Sequence, residues 1–371
     1  MKLLKLKTNT GFMMLEPGFE INFLTKTRVD RNSDNDELLE LEEGFYYPID
    51  TIFIGKTSSG KTTVLRFIEC ALSLLTSGRI SKNLLPYSEK LNLEIVFYEN
   101  GKIYHYNGSF SKNTYDMSEY LIINHESLEC APYKRSLKKD LSNIVYSKVD
   151  HFAAKKLPDT SDVANYVSIK DFVGLEVKES YFVDSLSKAS MVYSEDTVSS
   201  VVHLFDDSVA YIHFYKDNRI SFKRVYEPEL TATPADLKEF LSSGAYRGIA
   251  LLCQIIVALK FGSTVLIDDV EKHFNKNITE NVLLLFRDKE INKAGATLIY
   301  NTNYSELLDM SSRSDNINVL HKEDKKISIK NLCVDYKDRI ELSKPKKYDQ
   351  NAFDTLITYK SLITLRRNLL K

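Results

Sequence analysis

The chain has 371 residues, enough for one large domain or two smaller ones with an ample core. Lysine plus arginine (50) and aspartate plus glutamate (51) nearly cancel, so no global field points to nucleic acid or to an anionic membrane, and only a local patch would serve either. The four cysteines, Cys70, Cys130, Cys253 and Cys333, include no C-x-x-C pair, which argues against a zinc site and a disulfide framework. The amino terminus lacks a signal-peptide core and no apolar run approaches membrane-spanning length, so a cytosolic (cytoplasmic) protein with no membrane partner is expected.

In chain order, residues 3–7 and 19–25 alternate as an antiparallel pair turning near Glu16-Pro17-Gly18. Residues 28–43 are polar and acidic without periodicity and read as a mobile surface loop. Residues 51–54 form a short apolar strand, and the next eight residues, Gly55-Lys56-Thr57-Ser58-Ser59-Gly60-Lys61-Thr62, fit G-x-x-x-x-G-K-[ST]. From Thr63 to Leu75 apolar residues recur at helical spacing. Residues 93–98 and 103–107 make a hairpin across Asn100-Gly101.

Residues 112–200 are the least readable, with helices expected over 137–146 and 159–169 and small basic clusters at 134–139 and 155–156 that read as solvated faces. A second hairpin spans 209–215 and 220–226. Leu241-Ser242-Ser243-Gly244 then leads into an apolar helix over 249–261, and a buried strand over 263–267 ends in Asp268 and Asp269. A helix over 277–286 is followed by a buried strand over 296–300, which ends at Asn301-Thr302-Asn303. The tail holds a hairpin-like stretch (317–333), a charged segment with Pro345 and a final helix over 352–370.

A glycine loop between strand and helix turns successive backbone N–H groups inward around an anion, and the helix adds its positive end. Gly55 and Gly60 permit the wrap, Lys61 would reach the β- and γ-phosphates, and the Thr62 hydroxyl would ligate Mg²⁺. An apolar strand ending in Asp268 suits the second ligand on the Mg²⁺ side of such a site. The loop at Leu241–Gly244 opens another helix, and one site rarely needs two such loops, so the second serves the ATP of another protomer. His273 and His321 stand alone in sequence and read as surface or packing residues, and no Asn-Lys-x-Asp supports a GTPase.

The order of these motifs resembles the ABC-type head ATPases of the SMC, RecF and OLD kind, and more narrowly the bacterial AAA-labelled, AbiL-like abortive-infection ATPases. The likeness covers residues 1–110 and 205–335 and lies in Leu-Ser-Ser-Gly-x-x-Arg-Gly, Asp-Asp-Val-Glu-Lys-His-Phe and Ala-Thr-Leu-Ile-Tyr-Asn-Thr-Asn. It implies an α/β P-loop NTPase of the ABC head type, a mixed sheet with an antiparallel β subdomain and an inserted helical lobe. The expected division is residues 1–110 and 241–335 as ATPase core, 111–240 as inserted lobe and 336–371 as helical tail.

The resemblance further implies ATP and Mg²⁺ as cofactors and a homodimer or higher homo-oligomer with ATP sandwiched at its interface. Phosphate contacts would come from Gly55, Lys56, Thr57, Ser58, Ser59, Gly60, Lys61, Thr62 and Thr63, and from Ser242, Ser243 and Gly244 across the interface. Thr62 and Asp268 would serve the metal. Asp269 would polarise the attacking water, with Glu271 assisting and Asn303 in the switch position. The family usually has Glu at 269 and His at 303. Aspartate withdraws the carboxylate by about 1.5 Å, and a misplacement near 1 Å can cost on the order of a hundredfold in rate. Asparagine cannot take up a proton near neutral pH. Tight binding with slow turnover is therefore expected.

The stretch after Asn303 is too short for the nuclease domain of OLD-type proteins, so the expected effector, a nuclease or toxin in antiphage defence, is a separate protein. A RecF-like DNA-binding repair ATPase and an ATP-holding scaffold are the rival readings.

Overall fold

A computed structural model describes every residue except 30–34, 86–89, 113–118, 136–140, 142, 153–156, 176–180, 216–218, 234–235, 324–325, 338–342, 356–358 and 371. The chain divides into two units, one of Met1–Asp171 with Ile299–Lys371 and the other of Phe172–Leu298.

The first unit opens with β1 (Lys2–Thr8), whose alternating burial places Leu4 and Leu6 inside, paired antiparallel with β2 (Glu20–Asn22) as the alternation predicts. The segment from 28 to 43 is not all loop: β3 (Leu38–Glu42) pairs with β4 (Phe45–Pro48). Exposed Glu40 and half-buried Glu42 mask a strand whose Leu38 is buried. Next, β5 (Asp50–Gly55) is buried at all six positions, as a strand covered on both faces must be.

The helix α1 (Lys61–Ser77) follows and buries Leu65, Phe67, Ile68, Leu72 and Leu75, each contributing about 2 kcal/mol. Phe12 and Phe19 close on Phe67 at 5.3 and 6.3 Å. A six-stranded sheet of order β2-β1-β6-β7-β8-β9 is completed by β6 (Lys90–Glu99), β7 (Lys102–Ser111), β8 (Ile122–Pro132) and β9 (Ser147–Lys148). Asn100 and Gly101, at φ 48° and 76°, turn the β6–β7 hairpin as their sequence predicts. Only Leu128 and Ala131 of β8 are buried, so its sequence shows no apolar alternation. Of the helix expected over 137–146, residues 137–140 and 142 lie outside the described residues and the others are not helical. That over 159–169 contracts to a 3-10 turn at Asp162–Tyr166, capped by Ser161. The basic cluster 155–156 and most of 134–139 also lie outside the described residues.

The second unit begins with two helices that the sequence reading missed, α2 (Tyr181–Val192) and α3 (Glu195–His203, capped by Ser194). A three-stranded antiparallel sheet follows, with β10 (Val209–Phe214) and β11 (Ile220–Arg224) as expected and β12 (Leu230–Ala232) added at the edge. After α4 (Leu237–Phe240) comes α5 (Ser243–Phe261), the core helix of this unit. The ring of Phe182 stacks on Tyr246 at 3.8 Å, Gln254 donates to Ser185 at 2.8 Å and Tyr193 donates to the Ile256 carbonyl at 2.9 Å, fixing α2 along α5. By length and composition α5 could cross a membrane, unlike the sequence expectation, yet its apolar residues are largely buried within this unit. The unit continues with β13 (Thr264–Ile267) and α6 (Lys276–Arg287), whose N-terminus is capped by Asn275.

The chain re-enters the first unit along β14 (Thr297–Asn301). There the strand order is β14-β5-β15-β16, with β15 (Ile317–Glu323) parallel to β5 and antiparallel to β16 (Lys326–Asn331). Past it lie α7 (Lys344–Asp349), which starts at Pro345's turn of charged residues, and α8 (Tyr359–Leu369). The helix expected over 352–370 is therefore shorter, because residues 351–355 form turns with Asn351 and Asp354 at positive φ.

A buried polar cluster ties the chain after β14 to the segment before β3. Glu37 accepts from Ser311 Oγ (2.9 Å), Ser312 N (2.7 Å) and Arg313 N (3.2 Å). Arg313 grips Asp315 through Nε (2.9 Å) and Nη2 (2.6 Å), and Asp315 Oδ2 also accepts from the N–H groups of Lys26 (2.8 Å) and Thr27 (3.0 Å). Burial alone would raise the Asp315 carboxyl, but Arg313 and those donors overcome it and hold its pKa at about 2. Asp315 thus contributes stability above the ordinary aspartate value of 3.8, and that contribution is lost as pH falls through about 2. In acid titrations of thermal unfolding, about 2 kcal/mol of stability should vanish between pH 4 and 2 through this group. Asp315→Asn should flatten that limb and cost about 3–5 kcal/mol at pH 7, because Arg313 is left buried without its carboxylate.

Candidate functional site

The strand β5 runs directly into the glycine loop, and the loop's shape follows from contacts a side chain would block. A Cβ on Gly55 would sit 2.5 Å from Ser59 Oγ and 2.6 Å from the Leu320 carbonyl oxygen. Gly60 is the N-cap of α1 at φ 99°, a left-handed conformation in which its Cβ would also meet Ile327 Cδ1 at 2.2 Å. The N-cap is a glycine, so no side-chain hydrogen bond caps α1. Ser58 is left-handed as well, at φ 66°.

Inside this turn Lys61 is only 7% exposed, an unusual place for an ammonium. Its Nζ donates to the Gly55 carbonyl (2.9 Å), the Lys56 carbonyl (3.3 Å) and Asn303 Oδ1 (3.3 Å). Ser59 is buried and its Oγ has no hydrogen-bond partner. A buried cation on carbonyl oxygens, an orphaned hydroxyl and an uncapped helix N-terminus together fit a polyanion. Thr57 and Ser58 are exposed, and Lys56, Gly60, Thr62 and Thr63 are half-buried.

Asn303 follows β14 and is exposed, yet its side chain reaches Lys61. The structure therefore joins Asn303 to the phosphate loop, across 242 positions of sequence.

The other expected residues lie on the second unit. Asp268 and Asp269 follow β13 and are half-buried, as is Glu271. Asp269 is held at φ 51° and ψ 73°, a left-handed conformation that costs a non-glycine residue on the order of 1 kcal/mol. Its Oδ2 lies 2.6 Å from Lys272 Nζ, and this pairing raises the lysine's pKa. Lys272 was not singled out in the sequence, although its position three residues after an acid carried the signal. His273 follows, with a pKa lowered by burial first and by the charge of Arg247 second, and with Nδ1 buried and unbonded.

In the Leu241–Gly244 stretch, Ser242 Oγ accepts from Ala245 N at 3.1 Å and caps α5. Ser243, Gly244 and Arg247 are exposed, and no atom lies within 4 Å of the place a Gly244 Cβ would take. Among the described residues no group of three or more His, Cys, Asp or Glu is arranged to hold a metal ion.

A family model described as "AAA domain, putative AbiEii toxin, Type IV TA system" matches residues 51–309, which takes in every one of these motifs. No curated protein matches the sequence. Among solved structures, the SMC head domain from Thermotoga maritima is similar, with 16% sequence identity and a TM-score of 0.42 over 89% of this chain and 99% of that one. The family match supports an ABC-type P-loop ATPase with a mixed α/β fold.

Gly60→Ala should cost about 2 kcal/mol in chemical denaturation, from the left-handed backbone and the collision with Ile327. Adding Ile327→Ala should leave the backbone share of that loss and remove the steric share.

Proposed function

The chain belongs to the AbiEii-toxin-type AAA-domain family, and from that premise we propose that it is a slow ATPase that dimerises on ATP and regulates a separate effector. The observation that carries this reading is Lys61, a buried ammonium resting on loop carbonyls beside an unbonded Ser59 hydroxyl and an uncapped helix end. Lys61, the loop amides and Ser59 would hold the phosphates of ATP. Thr62 and Asp268 would hold Mg²⁺, which supplies charge neutralisation at the β- and γ-oxygens. Asn303 would donate to a γ-phosphate oxygen, and Asp269 would orient the attacking water with Glu271 nearby.

Three features support slow turnover. Aspartate at 269 is one methylene shorter than glutamate, its backbone is strained, and its carboxylate is already engaged by Lys272. The exposed Ser243–Gly244 edge, with open space above Gly244, supports a surface that receives the ATP of a second copy. Residues 1–110 and 241–335 would act as the core, 111–240 as the inserted lobe and 336–371 as the tail. The effector would be a nuclease or toxin, and the setting bacterial antiphage defence in the cytosol. The Lys272 pairing also favours a second reading, an ATP-holding scaffold without significant turnover.

Calorimetric titration should show Mg-ATP binding that Lys61→Ala weakens by about 30- to 150-fold, the worth of charge-assisted hydrogen bonds. In a multiple-turnover assay the wild type should run well below the enzyme median of about 10 s⁻¹. Lys272→Met should raise kcat several-fold at unchanged KM. Rapid hydrolysis abolished by Asp269→Asn would contradict the slow clamp, and no gain in Lys272→Met would favour the scaffold.

A further inference from the structure

One contact to the phosphate loop comes from outside every motif. Asp354 Oδ1 accepts from Lys56 Nζ at 2.8 Å, across 298 positions of sequence. Lys56 is central to the loop, since its carbonyl oxygen accepts from Ser59 N at 3.0 Å and from Lys61 Nζ at 3.3 Å. Asp354 therefore holds the side chain of the residue whose backbone holds Lys61.

The segment that carries Asp354 is itself anchored beside the loop. Leu320 of β15 pairs with Gly55 of β5, so the next residue, His321, emerges at the loop's flank. His321 Nε2 lies 2.6 Å from the Tyr336 hydroxyl, which donates to the Phe353 carbonyl at 3.4 Å. The Tyr336 and Phe353 rings meet edge to face at 5.3 Å, and Phe353 is only 2% exposed. On either side of this anchor, Asn351 and Asp354 hold left-handed backbones at φ 62° and 52°. Conformations of that kind persist only where the surroundings over-determine them. Here the buried ring on one side and Lys56 on the other do so.

We propose that residues 351–355 form an anionic latch on the phosphate loop, in which Asp354 competes with nucleotide phosphates for the Lys56 ammonium. The proposal rests on the reading of Gly55–Thr62 as the nucleotide site. A carboxylate beside the loop lowers the positive potential offered to an incoming polyanion. Removing it leaves the Lys56 charge free for the phosphates. The two partners are 33% and 64% exposed, so water screens the pair and the effect is modest, no more than about fivefold in affinity. Linkage is reciprocal: whatever the latch takes from nucleotide affinity, bound nucleotide takes from latch closure. Nucleotide occupancy is thereby signalled to the C-terminal tail.

The test titrates a fluorescent ATP analogue with Mg²⁺ into the full chain, as wild type, Asp354→Asn, Lys56→Met, the double variant and Lys61→Ala. Asparagine suits the left-handed backbone at 354, so the substitution removes charge with little change of conformation. The latch predicts binding about three- to fivefold tighter in Asp354→Asn, a gain that falls below twofold in the Lys56→Met background. It also predicts faster amide hydrogen exchange over residues 351–355 when Mg-ATP is bound, a readout that mere support of the fold would not move. Unchanged or weaker binding by Asp354→Asn, with Lys61→Ala defective, overturns the latch. Binding that is absent from the wild type, or that survives Lys61→Ala, overturns the nucleotide-site reading instead.

Discussion

The interaction on which the rest depends is the placement of one ammonium. Lys61 is buried at the mouth of β5 with its charge resting on the carbonyl oxygens of Gly55 and Lys56. Taking an ammonium out of water is costly, so the loop that holds it needs a defined shape. The surroundings follow from that need. Gly55 and Gly60 are glycines because Ser59, the Leu320 carbonyl and Ile327 leave no room for a Cβ. The fully buried β5 and the apolar face of α1 anchor the two ends of the loop.

The acids on the second unit show the opposite design. Asp269 is strained and its carboxylate is paired with a lysine on its own turn. A group poised for catalysis is usually left with a free acceptor, whereas this one is restrained. A strained and paired Asp269 suits the proposal of a nucleotide state that persists long enough to be read by something else. The Asp354 contact points the same way, because it gives the loop a physical connection to the C-terminal tail.

Much of this was legible in the sequence, for reasons specific to each element. The loop, α1, α5 and the strands ending at Ile267 and Asn301 announce themselves through glycine spacing and long apolar runs. The Asn100-Gly101 turn is set by local chemistry and needed no tertiary help. What escaped depended on distant or masked signals. Two glutamates in β3 hide a strand, and β8 buries too little to show alternation. In α3 the buried residues Val198, Val201 and Val202 are β-branched and lie among serines, which speaks against a helix locally although their spacing is helical. The site divides likewise: the phosphate loop was readable by motif, the approach of Asn303 to Lys61 was expected only from the order of motifs, and nothing local marks Asp354 as a neighbour of Lys56.

The central claim is that ATP, held at Lys61, joins two copies of the chain through Ser243 and Gly244. It is tested most directly by the solution mass of the full chain without nucleotide, with Mg-ATP and with Mg-ADP, beside Lys61→Ala and Ser243→Arg. The account predicts a dimer with Mg-ATP alone and monomers for both variants under every condition. A mass that ignores nucleotide, or a Ser243→Arg variant that still dimerises with Mg-ATP, would contradict it.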